Sequence, residues 1–247
     1  MNPPAPPPAL EARGLSRAFG GVQAVSGVDL RIGPGETVGI IGPNGAGKTT
    51  LFNLLAGTQT ADSGRVLVAG RDVTGWSPAR RARAGLARTF QITLPFADLT
   101  VTENAMIGPL AHGRDLEAAR AEALDSLEVV GLAQKAGALA SSLSTGQRKR
   151  LELARVMAAR PSVLLLDEIT GGIDQASVPG IVEAVQRLRE TGLALLTIEH
   201  NMSVIRALAP RLVFMHRGAV LADGPADEVA GRDDVRRLYL GEGYAAA

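Results

Sequence analysis

The sequence has no cysteine, so it carries neither a disulfide framework nor a thiolate metal site. It lacks an excess of either charge: 26 basic and 25 acidic residues give a formal net charge of +1. No whole-molecule field draws it to nucleic acid or anionic lipid, and no nucleic-acid partner is expected. It also lacks a long apolar run. Val163-Leu164-Leu165-Leu166 and Leu193-Ala194-Leu195-Leu196 fall far short of the ~20 residues a bilayer-spanning helix needs. The start, MNPPAPPPAL, has neither the basic nor the apolar region of a secretory signal. Residues 1–9 are expected to form a disordered, proline-rich tail. What is present is 247 residues, 46% of them apolar, enough for one large domain over residues 10–247.

Hydrophobic periodicity divides that domain. Val22 to Ile32 alternates like a half-exposed strand, with Val28, Leu30 and Ile32 on one face. Thr37 to Ile41 reads as a buried strand, Lys48 to Ala56 as a helix stopped by Gly57, and Ser63 to Gly70 as a strand entering a turn. From about residue 92 to 160 the pattern turns helical. Leu116, Ala119, Ala123, Leu124, Leu127 and Val130 share one helical face, and a second helix is expected from Gln147 to about Ala159. Strand–helix alternation then returns: strands at Val163–Leu166, Leu193–Ile198 and Leu212–His216, helices at Val178–Thr191 and Asp233–Leu240. This order implies an α/β domain, a parallel sheet covered on both faces, with an inserted helical lobe.

Two stretches carry chemistry. Gly42-Pro43-Asn44-Gly45-Ala46-Gly47-Lys48-Thr49 fits G-x-x-x-x-G-K-[ST] between an expected strand and an expected helix. Glycines let backbone N–H groups converge on an anion, and the helix start adds partial positive charge. Lys48 reaches phosphates as a point charge. Thr49 offers a hydroxyl to Mg²⁺, and Thr50 lies near the phosphates. The second stretch, Val163 to Leu166 followed by Asp167-Glu168, ends a buried strand in two carboxylates. Such a pair is costly unless it meets a cation or water at the sheet edge. Alternation points the two apart, so Asp167 is expected to hold Mg²⁺ through its water shell and Glu168 to activate water as general base.

Between them lies Leu143-Ser144-Thr145-Gly146-Gln147. With this stretch the chain resembles the nucleotide-binding subunit of an ABC transporter. In order it carries a phosphate loop, Gln91, the LSTGQ stretch, LLLDE, Asp174 and His200. The resemblance runs from about residue 10 onward. It implies a P-loop NTPase core with an N-terminal antiparallel β subdomain and an inserted α-helical subdomain. It implies two such domains sandwiching two ATPs, with Ser144 and Gly146 of one subunit contacting the γ-phosphate held by the other. It further assigns Asp174 to that nucleotide interface and His200 to the γ-phosphate. Gln91 is assigned to the metal and the γ-phosphate, linking them to the membrane partner, and Phe19 to the adenine. The sequence departs from the family pattern at Thr145, at Ile169 and at Gly171-Gly172-Ile173-Asp174; none of these removes a charge or donor named above.

Gly85-Leu86-Ala87-Arg88-Thr89-Phe90-Gln91, Ile198-Glu199-His200-Asn201-Met202 and Arg237-Leu238-Tyr239-Leu240-Gly241 resemble the ATPase subunits of branched-chain amino-acid importers. Urea and short-chain amide importers share these stretches. The implied partners are a second ATPase subunit, two transmembrane permease subunits and, indirectly, an extracytoplasmic substrate-binding protein. The implied location is the cytoplasmic face of the inner membrane. Residues 92–103 would face the permease, with Leu94, Pro95, Phe96 and Leu99 either docking to it or lining the lobe's core. A non-catalytic nucleotide-dependent regulator is the competing class; the presence of both Glu168 and His200 favours the ATPase. Chromosome and repair ATPases of this type insert a long coiled coil, and tandem translation factors carry two cassettes; this chain has neither feature.

Overall fold

The continuous apolar runs are the central strands of one sheet. The computed structural model of the chain describes residues 6–89 and 95–240. Gln91 and Leu94 lie outside the described residues. Six strands run in the order β10 (Ala219–Pro225), β9 (Arg211–His216), β3 (Thr37–Ile41), β8 (Ala194–Ile198), β7 (Val163–Asp167) and β6 (Leu86–Arg88). All neighbours pair in parallel except β10, which is antiparallel to β9. β3, β7 and β8 are buried at every position, as leucine- and valine-rich strands covered on both faces must be.

A second, antiparallel sheet has the order β2 (Val22–Ile32), β1 (Leu10–Phe19), β4 (Ser63–Val68) and β5 (Arg71–Asp72). Val28, Leu30 and Ile32 are buried, as the alternation predicts. Ordered packing begins one residue earlier than expected. Ala9 is only 6% exposed, and its carbonyl accepts a bond from Ala69 N–H, so it is packed in place just before β1 begins.

Helices cover both faces of the six-stranded sheet. α1 (Lys48–Ala56) follows the phosphate loop; α2 (Pro78–Arg83) precedes β6. α3 (Val101–Ala111), α4 (Leu116–Val129) and α5 (Thr145–Met157) pack together as the helical lobe. α6 (Val178–Glu190) and α7 (Met202–Leu208) alternate with the later strands, and α8 (Ala226–Gly231) and α9 (Asp233–Leu240) end the described chain.

Period-two alternation feeds separate cores. On β7, Val163 and Leu165 join the core under α1 and the antiparallel sheet, while Leu164 and Leu166 join the core under the lobe and α6. On β9, Val213 and Met215 join the first core, and Leu212 and Phe214 a third beneath α7 and α8. Two side chains of the expected α4 stripe depart from it: Leu116 is 68% and Leu124 38% exposed, while Ala119, Ala123 and Leu127 are fully buried. α4 contacts α3 and α5 through a narrow seam, so its flanking leucines stay outside. The α5 start is also corrected, from Gln147 to Thr145, because Ser144 caps it.

Candidate functional site

The loop from residue 42 to 47 leaves the C-terminal end of β3 and enters α1. Its shape is set by contacts with later chain. Ala46 N–H bonds Pro43 carbonyl, and Gly218 N–H bonds Ala46 carbonyl. Gly47 has φ 99°, and a Cβ there would sit 2.1 Å from Ala24 carbonyl oxygen, so only glycine fits. The N–H groups of Gly45, Gly47, Lys48 and Thr49 find no acceptor within the protein among the described residues. Unpartnered donors at a helix start are an anion cradle. Lys48 is 6% exposed, and its ammonium donates to Gly42 carbonyl at 2.6 Å and Pro43 carbonyl at 3.0 Å. Burial pushes this ammonium below its usual range, and nearby Glu168 partly opposes the shift.

Facing the loop across a cleft of about 350 Å³ are Glu168 and His200, with Ala24, Asn44 to Lys48, Thr49 and Thr50 forming the rest of the lining. Glu168 follows the end of β7 and has φ 48°, a left-handed conformation strained for a side-chain-bearing residue. Its N–H donates to Ile198 carbonyl, and its own carbonyl accepts from Gly171 N–H, which holds the turn. His200 Nε2 lies 2.7 Å from Glu168 Oε1. Both residues line this one cleft, and the His200 ring pairs there with the Glu168 carboxylate.

The His200 segment is anchored from both sides. Glu199 is 3% exposed and accepts from Thr170 N–H and Thr170 hydroxyl. Burial pushes the Glu199 carboxyl up, against these two hydrogen bonds. Tyr239 hydroxyl, on α9, donates to His200 carbonyl at 2.8 Å.

Asp167 was expected to need a cation, and the protein supplies one: Arg88. Its Nη2 donates to Asp167 Oδ2 at 2.6 Å, with both side chains largely buried. Removing one partner of a buried pair costs on the order of 3–5 kcal/mol. Sequence reasoning quoted Arg88 only as part of a subgroup stretch. A charged residue within a short strand beside an acidic strand end was the available signal.

The LSTGQ stretch does not line this cleft. Ser144 is exposed and caps α5: its hydroxyl accepts from Gln147 N–H while Gln147 Oε1 accepts from Ser144 N–H, a reciprocal capping box. Gly146 packs on Ser177, whose Cβ and Oγ would lie 2.7 Å from any Cβ added at Gly146. Ser177 in turn donates to Asp174 and holds its carboxyl below the usual range. Gly146, buried against Ser177, thus connects the exposed Ser144 and Asp174, and none of the three lines the phosphate-loop cleft. Phe19, at the β1–β2 turn, is 43% exposed, with the Arg17 guanidinium 4.8 Å from its ring centroid. It is neither core nor part of the cleft lining.

No group of three or more His, Cys, Asp or Glu among the described residues can hold a metal by itself. Thr49 lines the cleft and Asp167, its Oδ2 held by Arg88, does not; both are oxygen donors of the kind Mg²⁺ takes.

A glycine-rich loop with unpartnered N–H groups after the central strand, a carboxylate pair at a strand end and a histidine against one of those carboxylates fit a nucleotide-hydrolysing α/β cassette. The ABC transporter family pattern matches residues 25–171. The chain is 36% identical over 251 residues to the high-affinity branched-chain amino acid transport ATP-binding protein BraF of Pseudomonas aeruginosa, covering 95% of this chain and 98% of that protein. It is equally 36% identical to LivG of Escherichia coli K12, which has the same description and coverage. A solved ATP-binding cassette of an ABC transporter, in its ADP conformation, superposes with a TM-score of 0.85 at 29% identity, covering 95% of this chain and 99% of that one. The chain belongs to the ABC transporter family, as an ATPase subunit.

Proposed function

We propose that this chain powers import of branched-chain amino acids by closing on ATP as a dimer and reopening on hydrolysis. One observation carries the chemistry: Lys48, Thr49, Glu168 and His200 share a single cleft, with His200 and Glu168 in direct contact. The substrate class rests on the likeness to BraF and LivG.

In this reading the free N–H groups of the phosphate loop and Lys48 hold the β- and γ-phosphates. Thr49 and Asp167 would hold Mg²⁺, which would supply positive charge against the phosphates. Glu168 accepts the proton of the attacking water, and His200 fixes the Glu168 carboxylate while reaching the γ-phosphate edge. Ser144 and Asp174 are exposed and, with Gly146, act on the nucleotide held by the second subunit, to which the α5 start offers further donors. Gln91 couples the metal to the permease, and Phe19 stacks on adenine from the hairpin tip. Phe96, 53% exposed, offers the permease an apolar contact. No helix among the described residues is long and apolar enough to cross a membrane. Attachment to the inner membrane's cytoplasmic face therefore runs through the two permease subunits, which receive substrate from an extracytoplasmic binding protein.

The test compares Glu168→Gln with the wild type. Light scattering should report a stable MgATP-dependent dimer in the variant, with phosphate release reduced at least a hundredfold. A variant that hydrolyses ATP at the wild-type rate removes Glu168 from the mechanism. Co-purification of the native chain with its membrane and binding proteins, followed by ligand titration of the binding protein, tests the substrate class.

A further inference from the structure

Arg88, on β6, joins two elements that each bear part of the site. Its Nη2 donates to Asp167 Oδ2 at 2.6 Å, at the end of β7. Its Nη1 donates to Asn53 Oδ1 at 2.7 Å, on α1, one turn beyond Thr49. The next residue repeats the connection: Thr89 Oγ1 accepts from Asp167 N–H at 3.3 Å, and Thr89 N–H donates to Leu165 carbonyl. Both the backbone and the side chain of Asp167 are therefore held by residues 88 and 89.

The guanidinium geometry matters here. A planar fork holds two acceptors at a fixed separation; an ammonium, with rotatable donors on a flexible stem, fixes that separation less well. Mg²⁺ accepts little deviation from octahedral geometry, with oxygens at about 2.0–2.1 Å. A hydroxyl on α1 and a carboxylate on β7 can serve one ion only if those elements keep a fixed spacing. The Asn53–Arg88–Asp167 chain is a direct side-chain link between them.

We propose that Arg88 is a positioning residue for the metal: it sets the distance from α1 to β7 and the orientation of the Asp167 carboxylate. This rests on Asp167 acting toward the metal, as proposed above.

Mn²⁺ serves as the probe, its free signal read by electron paramagnetic resonance with protein and ATPγS. Arg88→Met should weaken Mn²⁺ retention at least fivefold while metal-free ATPγS affinity stays within twofold. Arg88→Lys, which keeps the charge and loses the fork, should recover only part of the loss. Asn53→Ala, which leaves the Arg88–Asp167 pair intact, should show a smaller loss of the same kind. If Arg88→Met is folded and retains Mn²⁺ within twofold of wild type, the proposal fails. If Arg88→Met does not fold, unchanged retention in both Arg88→Lys and Asn53→Ala overturns it equally, and weakened retention in both supports it. Asp167→Asn separates the two layers. Loss of Mn²⁺ there with none in the Arg88 variants sinks only the role of Arg88. Full retention in Asp167→Asn withdraws the metal role of Asp167 and this proposal together.

Discussion

Glu199 occupies a place where a neutral side chain does as well. It is buried beside Glu168 and bonded to Thr170, and burial raises its carboxyl above the ordinary value of 4.5. A carboxyl held above its unfolded value binds its proton more tightly in the folded state. Its contribution to stability is complete below pH 4.5 and is lost as pH rises through the folded value. Glu199→Gln can accept from Thr170 N–H and donate to Thr170 Oγ1, so it escapes that loss. The variant should melt higher than wild type at pH 7 to 8, by roughly 2 °C. Calorimetry at pH 4 should show the advantage gone. Residues differ in how legible they are from sequence. Lys48, Thr49, Asp167 and Glu168 were readable because a phosphate and a metal demand those groups at fixed spacing. Arg88 and Tyr239 were not, since their partners lie 79 and 39 positions away, joined only by the fold.

At the scale of elements, caps decide where helices begin, and here one cap is also a candidate nucleotide contact. Thr100 caps α3 through a capping box with Glu103, and Ser144 caps α5 in the same way with Gln147. Replacing either hydroxyl residue by alanine should cost ~1 kcal/mol, measured by urea denaturation. Thr100→Ala should leave ATP-driven dimerisation unchanged, while Ser144→Ala should weaken it. Equal effects on dimerisation would mean that Ser144 acts only as a cap. Gly146→Ala should also impair closure, because its methyl group would strike Ser177 and displace the Asp174 loop. Combining it with Ser177→Gly, which removes the colliding atoms, should recover dimerisation. Periodicity revealed α1, α4, α5, α6 and the buried strands, but not the eleven-residue α3, whose buried positions include Thr102, Asn104 and Pro109, nor the ten-residue β1. It did not reveal β6, with three residues, or α2 and α8, with six each. Elements this short contain less than two periods of any pattern, and tertiary pairing fixes them instead.

Across the whole molecule, the six-stranded sheet separates the phosphate-loop core from the core of the helical lobe. Leu127 is fully buried among α3, α4 and α5 side chains. Leu127→Ala should cost about 2–5 kcal/mol. Hydrogen exchange should quicken first in α3 and α4, with β3 and α1 protected until global unfolding; uniform acceleration would mean the cores open as one. The parallel architecture was readable from strand–helix alternation, but the order of strands was not. β3 lies between β8 and β9, whose residues begin at Ala194 and Arg211. The phosphate loop is therefore made early in translation, yet the strand that carries it has no sheet neighbour until the ribosome has added some 150 further residues. A nascent chain halted before Ala194 holds the complete glycine-lysine sequence on an unpaired strand. The frame behind the phosphate loop is thus closed only when β8 and β9 flank β3.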